Sequence, residues 1–322
     1  MSTLRVMKSS VVAAVALSMM IAGTPVTETS ARTMVRVAYS SISGAGVVTW
    51  LAVDKGLFAK NDLDVELIYV AGSQAMQSLL SGTTPIGIQG IEPVFRVNAH
   101  GSDTVMLLSI VTKPPFPIMV RPEIKDVQQL KGKRIGVATI KGTDQLVAEE
   151  MLQAKGFNPN QLQAVAIGDG PVRMQALVSG AIEAVCLAPP HDLMLRKMGY
   201  NALLGPPEVG LPSAGMLTSD RLIKENPQIV KRTLKALLRA HQYILENRQD
   251  TIQALIKWLP QPIDIAEHSY DGELKTLNRD GTMTDAEIDA IIARVGEKKR
   301  PLDEVRDFSF ARQAMKELQS EK

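Results

Sequence analysis

The chain has 322 residues, is 45% apolar and carries a formal net charge of +2 at neutral pH. That is enough length for one or two sizeable cores and too little charge to gather nucleic acid or coat a membrane. Aromatic residues make up 4%, which argues against a stacking surface for sugars or single strands, and a single cysteine, Cys186, excludes a disulfide framework or a thiolate metal cluster.

The N-terminus reads as an export signal. Arg5 and Lys8 precede an apolar run over 9–23, and Thr29-Ser30-Ala31 offers the small residues a signal peptidase needs. The run is short for a membrane span, so residues 1–31 are expected to be a signal peptide cleaved near Ala31. With no cysteine at the cleavage region, the mature chain is expected to be periplasmic and not a lipoprotein.

A β-rich run over 35–39 leads into Ser40-Ser41-Ile42-Ser43-Gly44, a polar loop, and then a helix to Lys55 with Gly56 behind it. A second strand over 65–70 ends in Ala71-Gly72-Ser73-Gln74. The next helix puts Ala75, Met76, Leu79 and Leu80 on one stripe and stops at Gly82. A third strand, 86–88, ends in Gln89-Gly90-Ile91-Glu92. Strands alternating with helices make βαβ units and a mostly parallel sheet. Further strands are predicted over 105–111 and 118–120. Between them stands Lys113-Pro114-Pro115-Phe116-Pro117, whose three prolines cannot continue a central ladder and mark a stiff crossover.

The plan then repeats. A strand over 134–138 is followed by the loop Thr139-Ile140-Lys141-Gly142-Thr143-Asp144 and a helix to Lys155. A strand over 163–167 is followed by Gly168-Asp169-Gly170-Pro171 and a helix over 172–179, and a strand over 184–188 by Pro189-Pro190-His191. A second proline-rich return, Gly205-Pro206-Pro207 with Leu211-Pro212-Ser213, comes next. From Leu217 onward helices are expected, one opening at Asn226-Pro227 and one at the capping box Thr284-Asp-Ala-Glu287, all packed on the first lobe.

Arg36 and Arg134 open similar strands, and Met76-Gln-Ser-Leu-Leu-Ser-Gly82 is echoed by Met174-Gln-Ala-Leu-Val-Ser-Gly180; both pairs stand 98 residues apart. Two similar α/β units predict two lobes facing each other across a ligand. The first lobe takes 34–112, the second 113–211, and 212–322 returns to the first, with Lys113, Phe116 and Ser213 at the hinge crossings. Ligands lie outside the carboxyl ends of such strands, where helix N-termini leave N–H groups unpaired. The candidate binding residues are therefore Ser41, Ser43 and Gly44 facing Thr139, Lys141, Gly142 and Thr143; Gly72, Ser73 and Gln74 facing Asp169 and Gly170; and Gln89 and Glu92 facing Pro190 and His191. Other roles compete: Ser41, Ser43, Ser73 and Thr143 serve equally as helix caps, Lys141 as a solvated loop lysine, and Glu92 or Asp169 as a salt-bridge partner. The cleft loops of the first copy hold no arginine, and Arg173 sits one turn into its helix. Such mixed charges suit a neutral, zwitterionic or weakly anionic ligand.

Behind the export signal the chain carries, in order, Ala52-Val-Asp-Lys-Gly-Leu-Phe58, Leu63-Asp-Val-Glu-Leu67, Gln77-Ser-Leu-Leu-Ser-Gly82, Leu130-Lys-Gly-Lys-Arg-Ile-Gly136 and Ala176-Leu-Val-Ser-Gly-Ala-Ile182. This set resembles the nitrate/sulfonate/taurine-type solute-binding proteins of ABC importers, whose relatives include binders of thiamine-precursor pyrimidines. The resemblance implies the two-lobed α/β periplasmic binding-protein fold, each lobe a mostly parallel sheet flanked by helices, joined by two hinge crossings. It further implies a small polar organic solute (a sulfonate, carboxylate or related molecule; alternatively a thiamine-precursor pyrimidine) handed to an inner-membrane ABC permease with its ATPase. A monomer is expected, with no cofactor, metal or nucleic acid.

An enzyme on the same architecture is the rival reading. The pyrimidine-synthesising relatives carry a cysteine-rich cluster, whereas Cys186 lies in an apolar run that buries an inert thiol. His100, His191, His241 and His268 show no metal-ligand spacing. A cytosolic regulator with a DNA-reading helix pair is opposed by the export signal and the neutral charge.

Overall fold

The computed structural model describes residues 32–207, 210–296 and 301–320; the predicted signal peptide, 1–31 with cleavage near Ala31, lies outside them. In chain order the first unit is β1 (Thr33–Tyr39), α1 (Val47–Asp54), β2 (Leu63–Tyr69), α2 (Ser73–Leu80), β3 (Ile86–Gly90), α3 (Glu92–Ala99) and β4 (Thr104–Val111). The second is β5 (Ile118–Val120), β6 (Arg134–Val137), α4 (Thr143–Gln153), β7 (Gln163–Ala166), α5 (Gly170–Val178), β8 (Ala184–Cys186), α6 (His191–Lys197) and β9 (Asn201–Leu204). The chain returns through β10 (Ala214–Ser219) to α7 (Asp220–Glu225), α8 (Pro227–Glu246), α9 (Arg248–Trp258), α10 (Ile263–Leu274), α11 (Asp285–Val295) and α12 (Ser309–Ser320).

Two five-stranded sheets result, ordered β2-β1-β3-β10-β4 and β7-β6-β8-β5-β9. In each, the three strands of the duplicated βαβ unit pair in parallel, β1 with β2 and β3, β6 with β7 and β8. Each then gains two antiparallel pairs: β10 lies between β3 and β4, and β5 between β8 and β9. The sheets are therefore mixed, because each strand laid down just after a crossover runs against its new neighbours.

Two differences from the sequence expectation have physical causes. The stretch around Leu217 is not helical but forms β10, whose Ala-Gly-Met-Leu-Thr-Ser sequence is a weak strand former held by partners on both sides. Its Gly215 lets the two strands approach, since a Cβ there would sit 2.3 Å from the Leu108 carbonyl oxygen. Glu92 and His191, read as loop residues, are instead the first residues of α3 and α6. Proline at a first helical turn costs no hydrogen bond, so Pro93 begins a helix where it looks like a breaker.

The cores follow strand alternation. In β5, Ile118 and Val120 join a cluster with Leu152 and Phe157, while Met119 faces the other side with Leu187 and Leu195. All eight residues of β4 are buried, as a strand covered on both faces requires. Of the tail, α8 buries Val230, Leu234, Leu237, Leu238 and Ile244 against α1 and α12. Trp50 of α1 stacks on Trp258 of α9 with centroids 5.6 Å apart. The tail does more than cover the first lobe: Asp264 of α10 pairs with Lys197 of α6, and Arg294 of α11 with Glu150 of α4.

Candidate functional site

The two lobes meet at the carboxyl ends of their parallel strands. Gly44 N donates to the Pro189 carbonyl at 3.2 Å, Arg96 Nη2 to the Lys141 carbonyl at 3.3 Å, and the Thr143 hydroxyl to Glu92. Between them lies a cavity of about 410 Å³. Of the residues singled out in sequence, the cavity gathers Ser41, Ser43, Gly72, Ser73 and Gln89 from the first lobe and Thr139, Gly142, Thr143, Asp169, Gly170 and His191 from the second, with Phe116 and Ser213 from the crossings. Gly44, Gln74, Glu92, Lys141, Pro190 and Lys113 are not among its lining. Gln74 and Lys141 are exposed, and Gly44 and Pro190 are buried where the lobes touch. Glu92 is fully buried behind Thr143.

The hydroxyls do not cap helices. Ser43 precedes a short 3-10 turn without a side-chain cap bond, and its Oγ lies 2.6 Å from that of Ser41. Ser73 and Thr143 are the first residues of α2 and α4, behind Gly72 and Gly142. Gly72 has φ +56°, a conformation that favours glycine. At Gly170 a Cβ would stand 2.7 Å from His191 Nδ1, so the absent side chain lets the imidazole lie against the start of α5.

Electrostatically the cavity is balanced. Arg173 and Asp144 are both buried and joined at 2.6 Å; the same Nη1 also donates to the Cys186 carbonyl, and Asp144 accepts from Ala138 N at 2.6 Å. Arg96 reaches the cavity from α3. Two arginines thus line a site whose first-copy loops hold none, and both come from helices. Arg96, Asp144 and Tyr39 also join the lining unforeseen; Arg96 falls one turn after Glu92, a spacing that becomes visible only once α3 is recognised as a helix. Among the residues lining the cavity, two buried side-chain atoms lack a hydrogen-bond partner, Gln89 Nε2 and Arg173 Nε. Burial, and then the Arg173 charge, push the His191 imidazole down to about 4, so it is neutral near pH 7. Burial pushes the Glu92 carboxyl up to about 7, against the opposing pull of the Thr143 hydrogen bond and Arg294. The Cys186 thiol is driven well up by burial and is inert. Met76, Ile88, Ile110, Val111 and Phe116 supply apolar walls.

The model of a family described as NMT1/THI5 like matches residues 47–251, well over half of the chain. A protein of Brucella abortus (strain 2308), described as a candidate binding protein, is 24% identical over 286 residues, 84% of this chain and 88% of its own. A 4-amino-5-hydroxymethyl-2-methylpyrimidine phosphate synthase of Saccharomyces cerevisiae is 22% identical over 231 residues, 66% of this chain and 67% of its own. Among solved structures, the alkanesulfonate-binding protein SsuA from Xanthomonas axonopodis pv. citri superposes with a TM-score of 0.72 at 20% identity, over 85% of this chain and 99% of that one. The periplasmic nitrate-binding protein NrtA from Synechocystis PCC 6803 gives 0.72 at 16% identity, over 89% of each chain. At these identities the likeness establishes the two-lobed periplasmic binding-protein fold.

Proposed function

This chain belongs to the NMT1/THI5-like family, and on that premise we propose that it is the extracytoplasmic substrate-binding component of an ABC importer. The observation that carries the reading is the cavity, which both lobes enclose and which holds unpartnered buried donors at Gln89 Nε2 and Arg173 Nε. Buried donors without partners are costly, and a ligand acceptor satisfies them. A solute touching both rims has affinity for the closed form alone and shifts the population toward it. The lobes divide at 34–112, 113–211 and 212–322, and rotation concentrates at Lys113, Phe116 and Ser213.

The solute is a small organic molecule such as a sulfonate, a carboxylate or a related compound. The apolar walls suit a carbon body that a bare inorganic anion lacks, and the Arg173 charge is already answered by Asp144. It is captured without chemistry. The synthase relative is matched over two thirds of this chain, yet Cys186 is a buried, inert thiol. The mature protein is a periplasmic monomer, freed of residues 1–31, that hands its solute to an inner-membrane permease and its ATPase.

Thermal-shift screening of the mature chain against sulfonates, carboxylates, amino acids and pyrimidines tests this. One class should stabilise by about 2.7 kcal/mol at a hundredfold excess over Kd, and Gln89→Leu should abolish most of that shift. A screen in which every class leaves the melting point in place, or in which a stabilising compound is converted to product, overturns the proposal.

A further inference from the structure

Arg294 stands in the last turn of α11, outside both duplicated units, and touches both lobes. Its side chain is 7% exposed; Nη1 lies 3.6 Å from Glu92 Oε1 on α3, and Nε 2.7 Å from Glu150 Oε1 on α4 of the second lobe. The Nε contact is an ion pair without hydrogen-bond alignment, and Glu92 Oε1 and Arg294 Nη1 make no hydrogen bond either. Charge, not directional bonding, holds the three together. The second oxygen of Glu92 accepts from Thr143 at the start of the same α4. A continuous polar chain therefore runs from the first lobe through the tail into the second, behind the cavity wall. Of its members only Thr143 lines the cavity.

Opening the cleft would separate Arg294 from Glu150 and Glu92 from Thr143 in one motion. Arg294 and Glu92 are buried while Glu150 is half exposed; taking a carboxylate away from the buried guanidinium is unfavourable, because that charge stays desolvated. The other side-chain ion pair across the cleft among the described residues, Lys197 with Asp264, is half exposed on both sides and correspondingly weak.

We propose that Arg294 is a positioning residue that ties the lobes together from behind the ligand cavity and sets what fraction of the ligand-free protein rests closed. Ligand affinity scales with that fraction, so a residue that never touches the solute tunes its capture. The proposal rests on the reading that the lobes open and close, and not on the identity of the solute.

Small-angle scattering of the ligand-free mature chain tests it, with Arg294→Met, Arg294→Lys and Glu150→Gln beside the wild type. Arg294→Met and Glu150→Gln should expand the radius of gyration, with the closed-to-open ratio falling about tenfold, equivalent to roughly 1.4 kcal/mol. Arg294→Lys keeps the charge and should recover part of the compact form. Glu150 is 51% exposed, so Glu150→Gln loosens the clasp without endangering the fold. Scattering unchanged from wild type in both Glu150→Gln and Arg294→Met overturns the proposal, as does a lower melting point for Arg294→Met with no expansion in either variant. No ligand is added, so this result and the outcome of the solute screen stand apart.

Discussion

Asp144→Ala probes the electrostatic balance of the cavity most sharply. Asp144 and Arg173 have side chains 6% and 9% exposed and lie 2.6 Å apart. The substitution leaves a guanidinium buried without a counter-charge, at a cost of about 3–5 kcal/mol. It also removes the acceptor of Ala138 N, which places the expected loss at the upper end of that range. For a chain of this size each kcal/mol lowers Tm by about 1.5–2 °C, so a drop of roughly 6–10 °C is expected in a thermal melt. The double variant Asp144→Ala/Arg173→Met exchanges the pair for apolar groups, a change that is often near neutral, and should regain most of the loss. A single-variant cost below about 1 kcal/mol, or a double variant no better than the single, would mean that Arg173 is solvated and free to meet an anion, against the balanced cavity derived above.

Gly170→Ala places a methyl against the buried His191 ring and should cost about 1–3 kcal/mol by overpacking; an unchanged urea midpoint would show that the ring can swing away. His241 is buried and unpartnered at Nε2, and burial lowers its pKa to about 4. The unfolded chain takes up that proton first, so stability is full above about pH 6.5 and falls as pH drops toward 4, by roughly 2 kcal/mol at pH 5. His241→Gln should therefore gain stability relative to wild type between pH 8 and pH 5, and parallel urea midpoints at the two pH values would refute this. Glu92 has the opposite sign. Its carboxyl, raised to about 7 by burial among Thr143, Arg294 and Asp144, contributes stability below about pH 4.5 that is lost as pH rises through 7. Glu92→Gln mimics the protonated form and should be more favourable relative to wild type at pH 8 than at pH 5; no difference between the two would show that water reaches the carboxylate.

The fold was legible wherever sequence and local physics agree. The duplicated strand, loop and helix patterns identify β1 and β6, α2 and α5, because period-2 and period-3.6 signals repeat in the same order. β10 is not legible in sequence because its strand character comes from β3 and β4 on either side, a tertiary influence on a segment of low intrinsic preference. At the site, residues such as Ser73, Thr139 and Gly170 are accessible because strand ends and helix starts are visible in sequence. Arg96, Asp144 and Arg294 are not. Each acts through a partner distant along the chain, and nothing local distinguishes Arg294 from a solvated arginine ending a helix, where a cation is expected in any case.

The most direct measurement is a crystal structure of the mature chain with the solute that raises its melting point most. One chemically intact molecule is expected between the lobes, in contact with Gln89 and with the starts of α4 and α5 at Thr143 and Gly170. A solute seated elsewhere on the surface, or a converted product in the cavity, would contradict capture by closure.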